Sequence, residues 1–98
     1  MAYNAETALA MLKMRLNRPA GDTLLDTHLT ARLVAADEAM ARTGIHLLET
    51  STDDLMLLVD FTAWQYQSRD KPGGMPEWLR LARRERWLAE RSADEVVT

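Results

Sequence analysis

The stretch Asp53 to Ser68, DDLMLLVDFTAWQYQS, constrains this chain more than any other. As a helix it places Leu55, Leu58, Val59, Thr62 and Tyr66 on one face, the i, i+3, i+4, i+7 spacing of a core-facing stripe. Leu57, Phe61 and Trp64 make a second apolar face at helical spacing, and Met56 and Ala63 fill a flank. A helix that is apolar nearly all round must be covered nearly all round. In a chain of 98 residues there are two ways to do that. Neighbouring helices wrap it completely, or its second face meets another subunit.

That length makes a single domain, with one modest core. Apolar residues are 47% and charged residues 28% of the chain, ordinary for a soluble globular protein. Cysteine is absent, so no disulfide frame or thiolate metal site is expected, in agreement with a reducing compartment. The opening MAYNAETALA lacks the basic region and long apolar run of a secretory leader. Leu55 to Val59 is far too short for a membrane span of about 20 residues, so no membrane association is expected.

Taken in order, the chain reads as all-α, with helices over about 4–18, 22–43, 52–69 and 76–91 and a flexible tail over 92–98. Asn4 caps the first helix, with Glu6 in its first turn, and Ala5, Leu9, Leu12 and Leu16 form its stripe. Pro19-Ala20-Gly21 ends it. Asp22 is the expected cap of the second helix, whose stripe is Leu25, Leu29, Leu33, Ala36 and Met40, and Gly44 stands where a left-handed residue closes a helix. The connector IHLLET tucks in Ile45 and either Leu47 or Leu48. Ser51 or Thr52 then caps the central helix, with Asp53 and Asp54 as partners of its dipole. A long loop containing Pro72, Gly73 and Gly74 precedes the last helix, in whose first turn Pro76 fits. In that helix Trp78, Leu81, Ala82, Leu88 and Ala89 are expected to face the core, with Glu85 as an irregularity. Arg80, Arg84, Trp87 and Arg91 share roughly the opposite side.

Catalytic chemistry is not expected. His28 and His46 are eighteen residues apart, with no cysteine and no paired ligand spacing, and metal sites need three or four convergent ligands. Asp22 and Asp26 read as helix-start anions rather than an acid–base pair. There is no P-loop, no GxGxxG and no nucleophile elbow, hence no cofactor. Charge is uneven: residues 1–68 carry net −4, residues 69–91 net +3 and residues 92–98 net −2. The Arg80–Arg84–Trp87–Arg91 face therefore reads as solvated arginines beside a resting tryptophan, as a docking surface with the composition of interface hot spots, or as a phosphate-and-base site.

The span Asp54 to Arg86 resembles the head–tail connector (adaptor, or head-completion) proteins of tailed bacteriophages and prophages. One half of the likeness is Thr62-Ala63-Trp64-Gln65-Tyr66-Gln67-Ser68-Arg69, similar to an AAWLYRKR-like helix end. The more specific half is Gly74-Met75-Pro76-Glu77-Trp78-Leu79-Arg80-Leu81-Ala82-Arg83-Arg84-Glu85-Arg86, similar to a GMPRMLRxALNNR-like run. Gly74, Met75, Pro76, Leu79, Arg80, Ala82 and Arg86 match, whereas Glu77 and Arg83-Arg84-Glu85 depart from that pattern. The resemblance implies a small four-helix connector-type bundle without enzymatic activity. It implies a homo-oligomeric ring beneath the portal protein at the head–tail junction of the virion, assembled in the bacterial host cytoplasm. Such a ring extends the DNA channel, which DNA crosses without sequence-specific binding, and docks the next neck or tail protein. A closed ring needs two different faces per subunit. Leu57, Phe61 and Trp64 are candidates for one. Arg80, Arg84, Trp87 and Arg91 are candidates for the other, set against Asp37, Glu38 or Asp60. Arg69, Lys71, Gly73, Gly74 and Met75 form a candidate portal or channel loop.

Two rivals come from other classes. A small helical DNA-binding regulator would use the basic C-terminal helix, but a helix-turn-helix needs a tighter turn than the one after Gly44 and a recognition helix that does not begin Asp53-Asp54. A toxin-type enzyme would need a clustered set of His, Ser, Lys or carboxylate groups that the spacing does not supply.

Overall fold

The computed structural model describes residues 4–19, 21–68 and 73–97, with side chains described as far as Ser92. It is an all-α bundle of four helices: α1 (Ala5–Arg15), α2 (Asp26–Arg42), α3 (Thr52–Gln67) and α4 (Glu77–Val97). α3 is the hub. It packs against α1, α2 and α4, whereas among the described residues α4 packs closely on no helix but α3.

The chain covers most of α3 itself, but leaves Met56 on one flank exposed. α1 and α2 bury Leu58, Val59 and Thr62 on one side, and α4 helps to close over Leu57 and Phe61, which keep only 7% and 5% of their surface exposed. Trp64 is half-buried, its ring 5.9 Å from that of Phe61. Leu57 and Phe61 are thus covered by their own chain, which corrects the expectation that they supply a subunit face.

Several local signals behave as the sequence suggests. Asn4 Oδ1 accepts from Thr7 N at 3.1 Å and Ser51 Oγ accepts from Asp54 N at 3.2 Å, so both helix starts are capped. Gly44 has φ +93°, and Ile45 N donates to Met40 O at 2.9 Å, the hydrogen bond that closes a helix around a left-handed residue. Ile45 and Leu47 are buried and Leu48 is exposed.

Others differ. α1 stops at Arg15, before Pro19. Asn17 takes the left-handed conformation (φ +59°) and Arg18 N reaches back to Lys13 O at 2.8 Å, so an asparagine ends the helix ahead of the Pro-Ala-Gly run. α2 starts at Asp26 rather than just after Asp22. The Asp22 carboxylate instead accepts from Leu24 N at 3.2 Å and pairs with Arg18 at 3.2 Å, building a local turn before the helix. Asp26 lies in the first turn of α2 with Lys13 Nζ 3.0 Å away, a link between α1 and α2 made by a nearly buried lysine. α4 continues to Val97, through residues expected to form a tail, because no glycine or proline interrupts Ser92 to Val97.

The largest difference lies in how α4 sits. Trp78, Leu81 and Leu88 are 50%, 47% and 45% exposed, and Ala89 is exposed as well, so they do not form the core face. The inward face is Leu79, Ala82, Arg83, Arg86 and Glu90, with Leu79 fully buried and the rest half-buried. α4 is amphipathic, but much of its apolar side points out.

Candidate interaction surfaces on the last helix

The inverted seating of α4 has a polar cause. Arg86 grips the Asp54 carboxylate with two guanidinium hydrogen bonds, Nε at 2.7 Å and Nη2 at 3.2 Å. Nη2 also donates to His46 O at 2.7 Å. Leu48 N also donates to Asp54 Oδ2, at 2.8 Å, the oxygen that Arg86 Nη2 shares. One turn further on, Glu90 accepts from His46 N at 2.9 Å, lies 2.6 Å from His46 Nδ1, and takes a longer bond from Arg86 Nη1 at 3.4 Å. A bidentate arginine–carboxylate pair is both strong and geometrically specific. Once Arg86 and Glu90 must face inward, a rigid helix turns Leu81 and Leu88 outward.

The electrostatics follow. The Asp54 hydrogen bond holds the Arg86 guanidinium above its ordinary proton affinity despite partial burial. Burial pushes the Glu90 carboxyl up, but the hydrogen bonds from His46 and the charges of His46 and Arg86 pull it further down, to a net value below the usual carboxylate range. Asp54 is therefore more than the dipole partner its place in the first turn suggests. It is 96% buried, with only 4% of its surface left, and it is the acceptor on which the seating of α4 turns.

The arginine–tryptophan face divides in two. Arg91 Nη2 donates to Gly44 O at 2.9 Å, and its guanidinium lies over the Trp87 ring, 4.6 Å from the centroid. A Cβ at Gly44 would collide with Arg91 and crowd the Trp87 indole, so the glycine makes room for this contact. Arg91 is thus engaged by its own chain, while Trp87 lies beneath it and keeps 39% of its surface exposed. Arg80 and Arg84 remain exposed, Arg80 with a loose pairing to Glu77 at 3.7 Å. Arg83 lies over Phe61, 5.0 Å from the ring centroid. The expected acidic counterparts also divide: Glu38 is exposed, Asp37 is half-buried with burial raising its proton affinity, and Asp60 is 3.3 Å from Arg15 Nε. In the candidate loop Gly73 and Gly74 are exposed and Met75 packs against the core, while Arg69 and Lys71 lie outside the described residues.

What the sequence reading missed is the outer ridge. Trp78, Leu81, Glu85 and Leu88 recur at spacings of three, four and three, an a/d-type stripe that faces solvent. Large apolar side chains exposed singly are ordinary, but three along one stripe, interrupted only by Glu85, make a ridge. The stripe itself was visible in the sequence, but its direction depends on Arg86 finding Asp54.

Among the described residues no group of three or more His, Asp and Glu side chains is placed to hold a metal ion. Among the same residues no helix is long and apolar enough to cross a membrane. No protein-family model, curated protein or solved structure matches the chain.

Proposed function

We propose that this chain is a structural protein of a tailed-phage neck, acting by self-association and docking rather than by catalysis. One observation carries the reading: α4 exposes Trp78, Leu81 and Leu88 as a ridge on a chain whose own core is already closed around α3. Exposed apolar patches rimmed by polar residues mark sites of association. The resemblance of Gly74–Arg86 to head–tail connector proteins supplies the setting. Three of its matching positions, Leu79, Ala82 and Arg86, lie on the side of α4 that seats on α3, and Met75 just before the helix packs against the core, so the likeness bears on how this helix is mounted. In this role subunits form a ring under the portal protein, the ring prolongs the DNA channel, and its far side receives the next neck or tail protein. The exposed Gly73-Gly74 segment at the start of α4 is the proposed portal or channel element.

The DNA-binding regulator is disfavoured by the same geometry. Of the five arginines on α4, Arg86 is bound to Asp54, Arg91 to Gly44 O, and Arg83 lies over Phe61. Arg80 and Arg84 alone are left for phosphates, and two such contacts give little affinity at physiological salt.

The test is quantitative mass spectrometry of purified phage particles from the source. A fixed ratio to the portal protein, near one copy per portal subunit, is the expected result. Abundance in infected cells with absence from mature particles overturns the reading.

A further inference from the structure

We infer that the α4 ridge of one copy seats in the methionine groove between α1 and α3 of a second copy of this chain, with Glu85 meeting Arg15 and Arg84 meeting Asp60. This rests on the self-association proposed above and names the surfaces that perform it.

The groove is a shallow cavity of about 340 Å³ lined by Met11, Met14, Arg15, Met56, Val59 and Asp60. Met14 is 78% exposed and Met56 49%. Methionine side chains are flexible and polarisable, suited to receiving an indole or a leucine of varied shape. The groove and the ridge also complement each other in charge. The ridge carries one carboxylate, Glu85, in line with its apolar residues, and Arg84 beside it. The groove carries one cation and one anion, Arg15 and Asp60. In the single chain these two satisfy each other through one contact of 3.3 Å, with the Arg15 side chain 44% exposed. An exposed pair of that kind is worth little, so exchanging it for two pairs across a contact is not opposed.

The alternative of one α4 against another is poor. A parallel pair sets Glu85 opposite its own copy. An antiparallel pair sets it opposite a leucine. Neither offers the cation that a carboxylate at the centre of an apolar contact requires. The ridge and the groove also lie on different sides of the molecule. At 100° per residue, Met56, Val59 and Asp60 are roughly 140° around α3 from Asp54, Leu57 and Phe61, the face that receives α4. A contact between two different surfaces of the same chain is heterologous and propagates from copy to copy.

Sedimentation velocity of the full chain over a range of concentrations tests this. Wild type is expected to form concentration-dependent oligomers. Glu85→Arg and Arg15→Glu should each weaken association about tenfold, the scale of one charge reversal across a contact. The double swap should restore it, and Leu81→Asp should abolish it. All four variants change exposed positions, so thermal melting by circular dichroism should stay close to wild type. If wild type associates and every variant associates equally well, the surface assigned here is wrong while self-association stands. Weakening by both single swaps without recovery in the double swap overturns the Glu85–Arg15 pairing. A wild type that stays monomeric at every concentration overturns both this inference and the self-association on which it rests.

Discussion

The two sides of α3 are held by different physics. Toward α1 and α2 the contact is apolar: Ala8, Leu12, Leu29, Leu33, Ala36, Met40 and Leu58 lose essentially all their exposed surface. Toward α4 it begins with Leu79 and Ala82 and then becomes a network of Arg86, Asp54, Glu90 and His46. Hydrophobic burial is strong and tolerant of direction, whereas a polar network anchored on a buried carboxylate allows one arrangement and weakens sharply when a member is lost. The α1–α3 side therefore supplies stability, and the α4 side supplies an orientation, the one that turns Trp78, Leu81 and Leu88 to solvent.

That contrast breaks most visibly at Leu58, fully buried at the centre of the apolar side. Leu58→Ala should cost about 3–5 kcal/mol through lost transfer and the cavity left behind. It should shift the urea midpoints of all helices together. Arg86→Leu should cost less, about 3 kcal/mol, because it leaves the buried Asp54 carboxylate uncompensated. Its signature should be local: amide exchange in α4 accelerates while α1–α3 stay protected. Replacing both members, Arg86→Leu with Asp54→Leu, should recover only part of the loss, because Leu48 N is left without its acceptor. Equal loss of protection in all four helices would sink the division drawn here.

The same contrast marks what could be read from the residues. Apolar periodicity located α3, its stripe, the buried Leu29–Leu33–Ala36–Met40 face and Gly44 as a helix end, because those depend on spacing and local turn chemistry. It misplaced the face of α4, where Leu79 and Ala82 compete with Leu81 and Leu88 and the winner is decided by a hydrogen bond between residues 32 positions apart. Asp54 looked like a first-turn anion because local rules account for it fully, and nothing local distinguishes it from its exposed neighbour Asp53. Arg91 reads as part of a docking face because its partner is the backbone carbonyl of Gly44, a residue with no side chain to read.

Gly44→Ala sharpens this at a smaller scale. The residue sits at φ +93°, and an added Cβ would strike the Arg91 guanidinium. The substitution should cost about 1–2 kcal/mol, part from the left-handed backbone and part from the displaced contact. Because Arg91 and Trp87 move with it, tryptophan fluorescence should change more than for Asn17→Gly, which keeps the left-handed turn after α1 and should be nearly neutral.

The mildest probe is acid. Glu90 has a folded proton affinity below its ordinary value of 4.5, through the hydrogen bonds and charges of His46 and Arg86. A carboxylate depressed in the folded state stabilises that state above its unfolded value, and the contribution fades as pH falls through the folded value. While Glu90 stays ionised, the α4 amides should therefore stay protected relative to α3. As pH falls below the ordinary carboxylate range their exchange should rise before the α1–α3 amides respond, and Glu90→Gln should remove most of that early rise while lowering protection at neutral pH. A uniform acid transition in wild type and Glu90→Gln alike would mean that the apolar contacts of Leu79 and Ala82 hold α4 unaided, and that the polar network sets its direction without securing it.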